Sequence, residues 1–155
     1  MIGRVAGRAH REFRYTMTTR QRSALVAYLS FAATIGSVRA LTRSIRAGHG
    51  PFHDVSVGGL HIHHFLPGIA LLAAAGALGV RGSERIVVHC ALGATYGTGC
   101  ALIVDELPLL VNLRDVYWTP QGRWAIEVAA YTIVGLGTYF SGLPIWRGVR
   151  HELAA

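Results

Sequence analysis

Residues 86–111, IVVHCALGATYGTGCALIVDELPLLV, decide the fold. The first nineteen of them contain no Asp, Glu, Lys or Arg, and a helix that crosses a bilayer needs about 20 mostly apolar residues. The acidic pair Asp105–Glu106 and then Pro108 interrupt the run only at its far end. Upstream, the short polar turn RGSER (residues 81–85) separates this segment from a second apolar stretch, LHIHHFLPGIALLAAAGALGV, at residues 60–80. Two apolar runs joined by so short a turn form an antiparallel hairpin. Further out lie residues 23–41, SALVAYLSFAATIGSVRAL, and residues 124–146, WAIEVAAYTIVGLGTYFSGLPIW. The expected fold is therefore an all-α membrane protein: a single transmembrane domain, a bundle of four transmembrane helices, preceded by a basic cytoplasmic tail at residues 1–22.

Composition agrees. Hydrophobic residues make up 52% of the 155 and charged residues only 15%, below the roughly 25% of an ordinary soluble domain. Mean hydropathy is +0.38. All fifteen basic residues are Arg, for a formal net charge of +7. They cluster just outside the apolar blocks, which fits anionic lipid head groups and not a nucleic-acid face. The positive segment before residues 23–41 looks like a signal peptide at first sight. The apolar stretch is long and is followed by SVRALTRS instead of a small-residue cleavage site, so it reads as a retained anchor.

Arginine also sets the orientation. With the N-terminus inside, ten arginines (residues 4, 8, 11, 14, 20, 22, 81, 85, 147 and 150) lie inside. Arg43, Arg46, Arg114 and Arg123 lie outside and Arg39 at the boundary. The positive-inside rule then places both ends in the cytoplasm. Trp118 and Trp124 fall at the outer interface and Trp146 at the inner one. Gly93 and Gly97 form a small-xxx-small pair that allows close helix approach. Cys90 and Cys100, ten residues apart on one helix, are about 15 Å apart, too far for a disulfide, and read as small buried apolar residues.

This topology brings polar residues from three segments to one depth. His61, His63 and His64 open the second span at its outer end. Asp105 lies nineteen residues after Ile86, about 28 Å along a helix that starts inside, and Glu106 follows it. Glu127 falls in the first turn of a span beginning at Trp124. Ionisable residues in membrane helices need a partner or a function, and histidines with carboxylates are the usual ligands of a divalent metal such as zinc or iron. On a helix His61 and His64 share a face; in an extended segment His61 and His63 do. Pro67 favours a helix starting close by, which selects His61 and His64. Pro108 removes a bond to the carbonyl of Val104 and should break the helix beside the acidic pair. About 100° separates consecutive helical residues, so one of Asp105 and Glu106 should face the histidines squarely.

A structural role competes with each of these. The histidine run also reads as an interfacial patch, Asp105 or Glu106 as a partner of Arg114 or Arg123, and Glu127 as a charge on a helix dipole. His89 reads as a packed histidine near the inner face, and His49, His53 and Asp54 as solvated loop residues. No phosphate-binding glycine loop, G-x-S-x-G or H-E-x-x-H is present; GATYGTG lies inside an apolar span and reads as helix packing.

The strings LHIHHFLPGIALL and IVDELPLLVNLRDVYWTPQGRWAIE resemble an uncharacterised family of bacterial, chiefly actinobacterial, integral membrane proteins. Its pattern is an H-x-H-H run, a D-E pair followed by D-V-Y-W, and a G-R-x-x-I-D/E segment opening the last span. The resemblance spans residues 59–130 and implies that His61, His63, His64, Asp105, Glu106, Asp115, Tyr117, Trp118, Arg123 and Glu127 are the patterned positions. Glu127 stands where Asp is commoner, which keeps the charge. Membrane topology is implied; a particular reaction is not.

The leading expectation is a polytopic membrane protein with a metal site at the outer leaflet. Its ligands would be His61, His63, His64, Asp105 and Glu106, with Glu127 as a further ligand or general base. Metal-assisted hydrolysis or lipid modification would suit that depth. The alternatives are ion or proton transport through the same polar cluster, or a small non-catalytic subunit of a larger membrane complex. A chain this short points to a homo-oligomer if it transports. The expected partners are anionic lipid head groups, not nucleic acid.

Overall fold

The computed structural model describes residues 2–49, 51, 56–57, 60–61, 63–112 and 120–153. Within them the chain is helical apart from one short strand pair: α1 (Ile2–Arg11), a π-helical turn at Glu12–Thr16, α2 (Thr19–Arg46), β1 (Ser56–Val57), β2 (Leu60–His61), α3 (Phe65–Arg81), α4 (Ile86–Asp105), α5 (Leu107–Asn112), α6 (Pro120–Ser141) and α7 (Leu143–Leu153). β1 and β2 pair antiparallel, Ser56 opposite His61 and Val57 opposite Leu60. This pairing holds Leu60–His61 extended, so the second apolar segment becomes helical only at Phe65, with Pro67 in the first turn where its missing N–H costs nothing.

Local chemistry sets the helix ends. Thr18 and Gln21 form a capping box on α2: the Thr18 N–H donates to Gln21 Oε1 at 2.9 Å, and the Gln21 N–H donates to Thr18 Oγ1 at 3.2 Å. At the other end Gly48 takes φ 68°, the left-handed geometry that closes a helix C-terminus. α4 stops at Asp105 and α5 resumes at Leu107, because Pro108 has no N–H to give the carbonyl of Val104. The fourth apolar segment divides in the same way. α6 ends at Ser141 and α7 starts at Leu143, since Pro144 cannot donate to Phe140.

Among the described residues, α2 and α4 are the two helices long and apolar enough to cross a membrane, with mean hydropathy 1.5 and 1.6 over their most apolar windows. They run parallel and very close. Gly93 lies against Ser23 and Gly97 against Ala27, where an added Cβ would overlap the backbone carbonyls. Thr34 Oγ1 donates to Thr98 Oγ1 at 3.3 Å farther along the same seam. α3 packs antiparallel on α4, with Gly68 beside Gly99, and α6 packs antiparallel on α2, with Gly137 under the Tyr28 ring. Small residues thus replace the interlocking apolar side chains of a soluble core. Phe31, Ala101 and Ala130 form the buried cluster, while Leu66, Ile69, Val87, Leu136 and Phe140 lie exposed on the outside. α1 and α7 pack together, with buried Glu12 against Gly148 and paired to Arg8 at 3.0 Å.

Candidate functional site

The parallel run of α2 and α4 and the antiparallel run of α3 and α6 put four helix ends at one level: the C-terminal ends of α2 and α4 and the N-terminal ends of α3 and α6. A chain of polar side chains collects there. Asp105, the last residue of α4, has no exposed surface. Its Oδ1 accepts a hydrogen bond from Arg39 Nε, and its Oδ2 lies 3.0 Å from His64 Nε2. Glu106 is also buried. Its Oε1 is 3.1 Å from His63 Nδ1 and 3.2 Å from His64 Nδ1, and its Oε2 accepts the Phe65 N–H at 3.1 Å. That last bond satisfies one of the donors that the first turn of α3 leaves open. Glu106 therefore caps one helix while ending another.

The sequence pointed to one acidic residue facing the histidines, and both do. The break after Asp105 frees Glu106 from helical geometry, so the two carboxylates converge. Of the histidines, His63 and His64 make the contacts. His61 lies in β2 and does not share a helix face with His64; its side chain is outside the described residues. Glu127 lies two turns into α6, because that helix begins at Pro120 instead of Trp124. Among the described residues Glu127 meets arginines and no histidine: Arg43 at 3.3 Å and Arg39 at 4.0 Å. His89 closes the turn between α3 and α4, its Nε2 2.6 Å from the Ser83 carbonyl oxygen. Cys90 and Cys100 are both free thiols. His53, Asp54, Arg114, Asp115, Tyr117 and Trp118, and the side chain of Arg123, fall outside the described residues.

Arg39 is the member of the cluster that sequence reading left at the boundary as a mere topogenic charge. The signal was there: an arginine inside an apolar span needs an anionic partner at its own depth. Arg39 lies sixteen residues beyond Ser23, and Asp105 lies nineteen beyond Ile86.

The His64 ring lies between the two carboxyls: Nε2 is hydrogen-bonded to Asp105 Oδ2 at 3.0 Å, and Nδ1 lies 3.2 Å from Glu106 Oε1. Among the described residues no group of three or more His, Cys, Asp and Glu is arranged to hold a metal ion.

No family model matches the chain, and neither does any curated protein or solved structure.

Proposed function

We propose that the chain is a multi-pass protein of the bacterial plasma membrane, a four-helix bundle with both ends in the cytoplasm, whose His–carboxylate cluster holds a transferable proton near the outer leaflet. It would serve as the proton-carrying part of a transport system, as a homo-oligomer or within a larger membrane complex. The observation that supports this reading is the His64 ring between two carboxyls, with Nε2 hydrogen-bonded to Asp105 at 3.0 Å and Nδ1 3.2 Å from Glu106. A group placed so can take a proton from one side and return it on the other. His63, on the more exposed side of Glu106, would connect the cluster to water, while Arg39 holds Asp105 in place. The topology and the kinship with the actinobacterial membrane proteins rest on the arginine distribution and the HIHH, DE and DVYW strings.

Reconstitution in vesicles loaded with a pH-sensitive dye tests the proposal. Proton entry with the wild type that disappears in His64→Gln and Asp105→Asn is the expected result. Equal leakage through all three proteins would contradict it.

One observation favours a second reading. The Nδ1 atoms of His63 and His64 converge on a single oxygen, Glu106 Oε1, at 3.1 and 3.2 Å. As they stand these side chains are not arranged to hold a metal ion, so this reading requires them to close around zinc or iron at about 2.0–2.2 Å, with His61 two positions upstream of His63. Such an ion would supply Lewis-acid chemistry beside the lipid head groups. Arg39 beside Asp105 disfavours a second dication-sized charge on that side of the cluster. Metal analysis of chelator-free protein separates the two readings. Near-stoichiometric metal that is lost in His63→Ala/His64→Ala supports this second one.

A further inference from the structure

We propose that the cleft between α2 and α6 is a binding site for an anionic membrane lipid, with its phosphate at Arg43 and Arg39 and an acyl chain along the apolar wall. The cleft is a cavity of about 220 Å³. Its lining is segregated: Ala32, Gly36 and Val134 form the wall, and Arg39, Arg43 and Glu127 form one end. The α2 residues recur at helical spacing, so one stripe of that helix is apolar for about one turn, from Ala32 to Gly36, and then cationic at Arg39 and Arg43. A site with an ionic end and an apolar body fits an amphiphile; a free ion or a water-soluble anion would have no use for the wall.

The sign of the head group follows from the accessible charge at the polar end: the guanidinium of Arg43 is more exposed than its partner Glu127, while Arg39 behind it is paired with buried Asp105. Arg43 is 63% exposed, and a guanidinium has five N–H donors in a planar fork suited to phosphate. Arg43 can therefore hold Glu127 at 3.3 Å and still meet a phosphate oxygen. The wall has room because its residues are small. A Cβ on Gly36 would meet nothing within 4 Å, so among the described residues no neighbouring side chain fills the recess there.

This inference rests on the membrane reading but not on the proton or metal assignment of the neighbouring cluster. It also supplies its own variants. Gly36→Leu puts a side chain into the recess at a position whose Cβ meets nothing within 4 Å, and Gly135→Leu on α6, equally open at Cβ but outside the cleft lining, is the matched control. Arg43→Gln removes the exposed charge. The full chain, extracted in detergent and stripped of lipid, would be titrated with phosphatidylglycerol and with phosphatidylcholine, and bound lipid counted by native mass spectrometry. The expected result is one phosphatidylglycerol per chain, in preference to phosphatidylcholine. Gly135→Leu should retain it, Gly36→Leu should lose it, and Arg43→Gln should bind about tenfold more weakly, the loss of one charge-assisted hydrogen bond. Binding by folded Gly36→Leu equal to wild type, or equal affinity for the two lipids, overturns the proposal. If Gly36→Leu does not fold, Arg43→Gln decides alone: wild-type affinity there overturns it. A chain recovered in the soluble fraction without detergent would instead overturn the membrane reading itself.

Discussion

Arg39 and Asp105, 66 positions apart in sequence, form a buried ion pair that ties the end of α2 to the end of α4. Removing one member leaves the other buried with its strongest partner gone, at a cost of up to about 3–5 kcal/mol for a buried pair. Arg39→Met should destabilise the purified protein by about that much. The double variant Arg39→Met/Asp105→Leu should recover most of it, because two apolar side chains replace two compensated charges. Thermal unfolding followed by circular dichroism in detergent measures both. Equal loss in the single and double variants would show that the pair does not hold the helices together.

Glu127 makes the contrasting case. It is 37% exposed and its closer partner, Arg43, is 63% exposed, so screening leaves the pair worth less than about 1 kcal/mol. Glu127→Gln should leave the melting temperature nearly unchanged. A loss as large as that of Arg39→Met would mean that Glu127 has a buried role the described contacts do not contain.

The α2–α4 seam predicts a steric effect that polarity does not explain. Gly97 has no room for a Cβ beside Ala27, so Gly97→Val must push the two helices apart. Overpacking costs typically 1–3 kcal/mol, occasionally more, and here it should also weaken the Arg39–Asp105 contact above. Gly135→Ala, where a Cβ meets nothing within 4 Å, should be neutral or stabilise by about 0.5–1 kcal/mol through helix propensity. Comparing the two melting temperatures separates packing from propensity.

Much of this architecture is legible in the residues, and the gaps have physical causes. The apolar runs locate the helices, because insertion into a bilayer depends on length and hydropathy. The convergence of His64, Asp105 and Glu106 at one depth follows from counting residues along antiparallel helices. What counting misses is local. Leu60–His61 reads as the start of a helix because its strand partner, Ser56–Val57, lies in a segment with no apolar period. Pro108 signals a break, but not that the break would free Glu106 to cap α3. Arg39 looks like a topogenic charge because its partner is far away in sequence. The α6–α7 break at Gly142 was readable from Pro144 and was masked by the continuous apolar composition around it.

Topology offers a direct check of the orientation. In a Cys90→Ala/Cys100→Ala background, a cysteine at Pro51, in the loop after α2, should react with a membrane-impermeant thiol reagent added to intact cells. A cysteine at Ser83, in the α3–α4 turn, should react only after the membrane is opened. The reverse pattern would turn the bundle over and place the histidine cluster on the cytoplasmic side.

The central proposal is that the His64 ring and the carboxyls of Asp105 and Glu106 share a transferable proton. Solid-state NMR of the full chain in bilayers, with nitrogen-labelled histidine and carbon-labelled aspartate and glutamate, counts that proton at neutral pH. The account predicts either a His64 ring protonated at both nitrogens or a protonated carboxyl on Asp105 or Glu106, with the signal lost in His64→Gln. A His64 ring with one bare nitrogen beside two ionised carboxylates would contradict it.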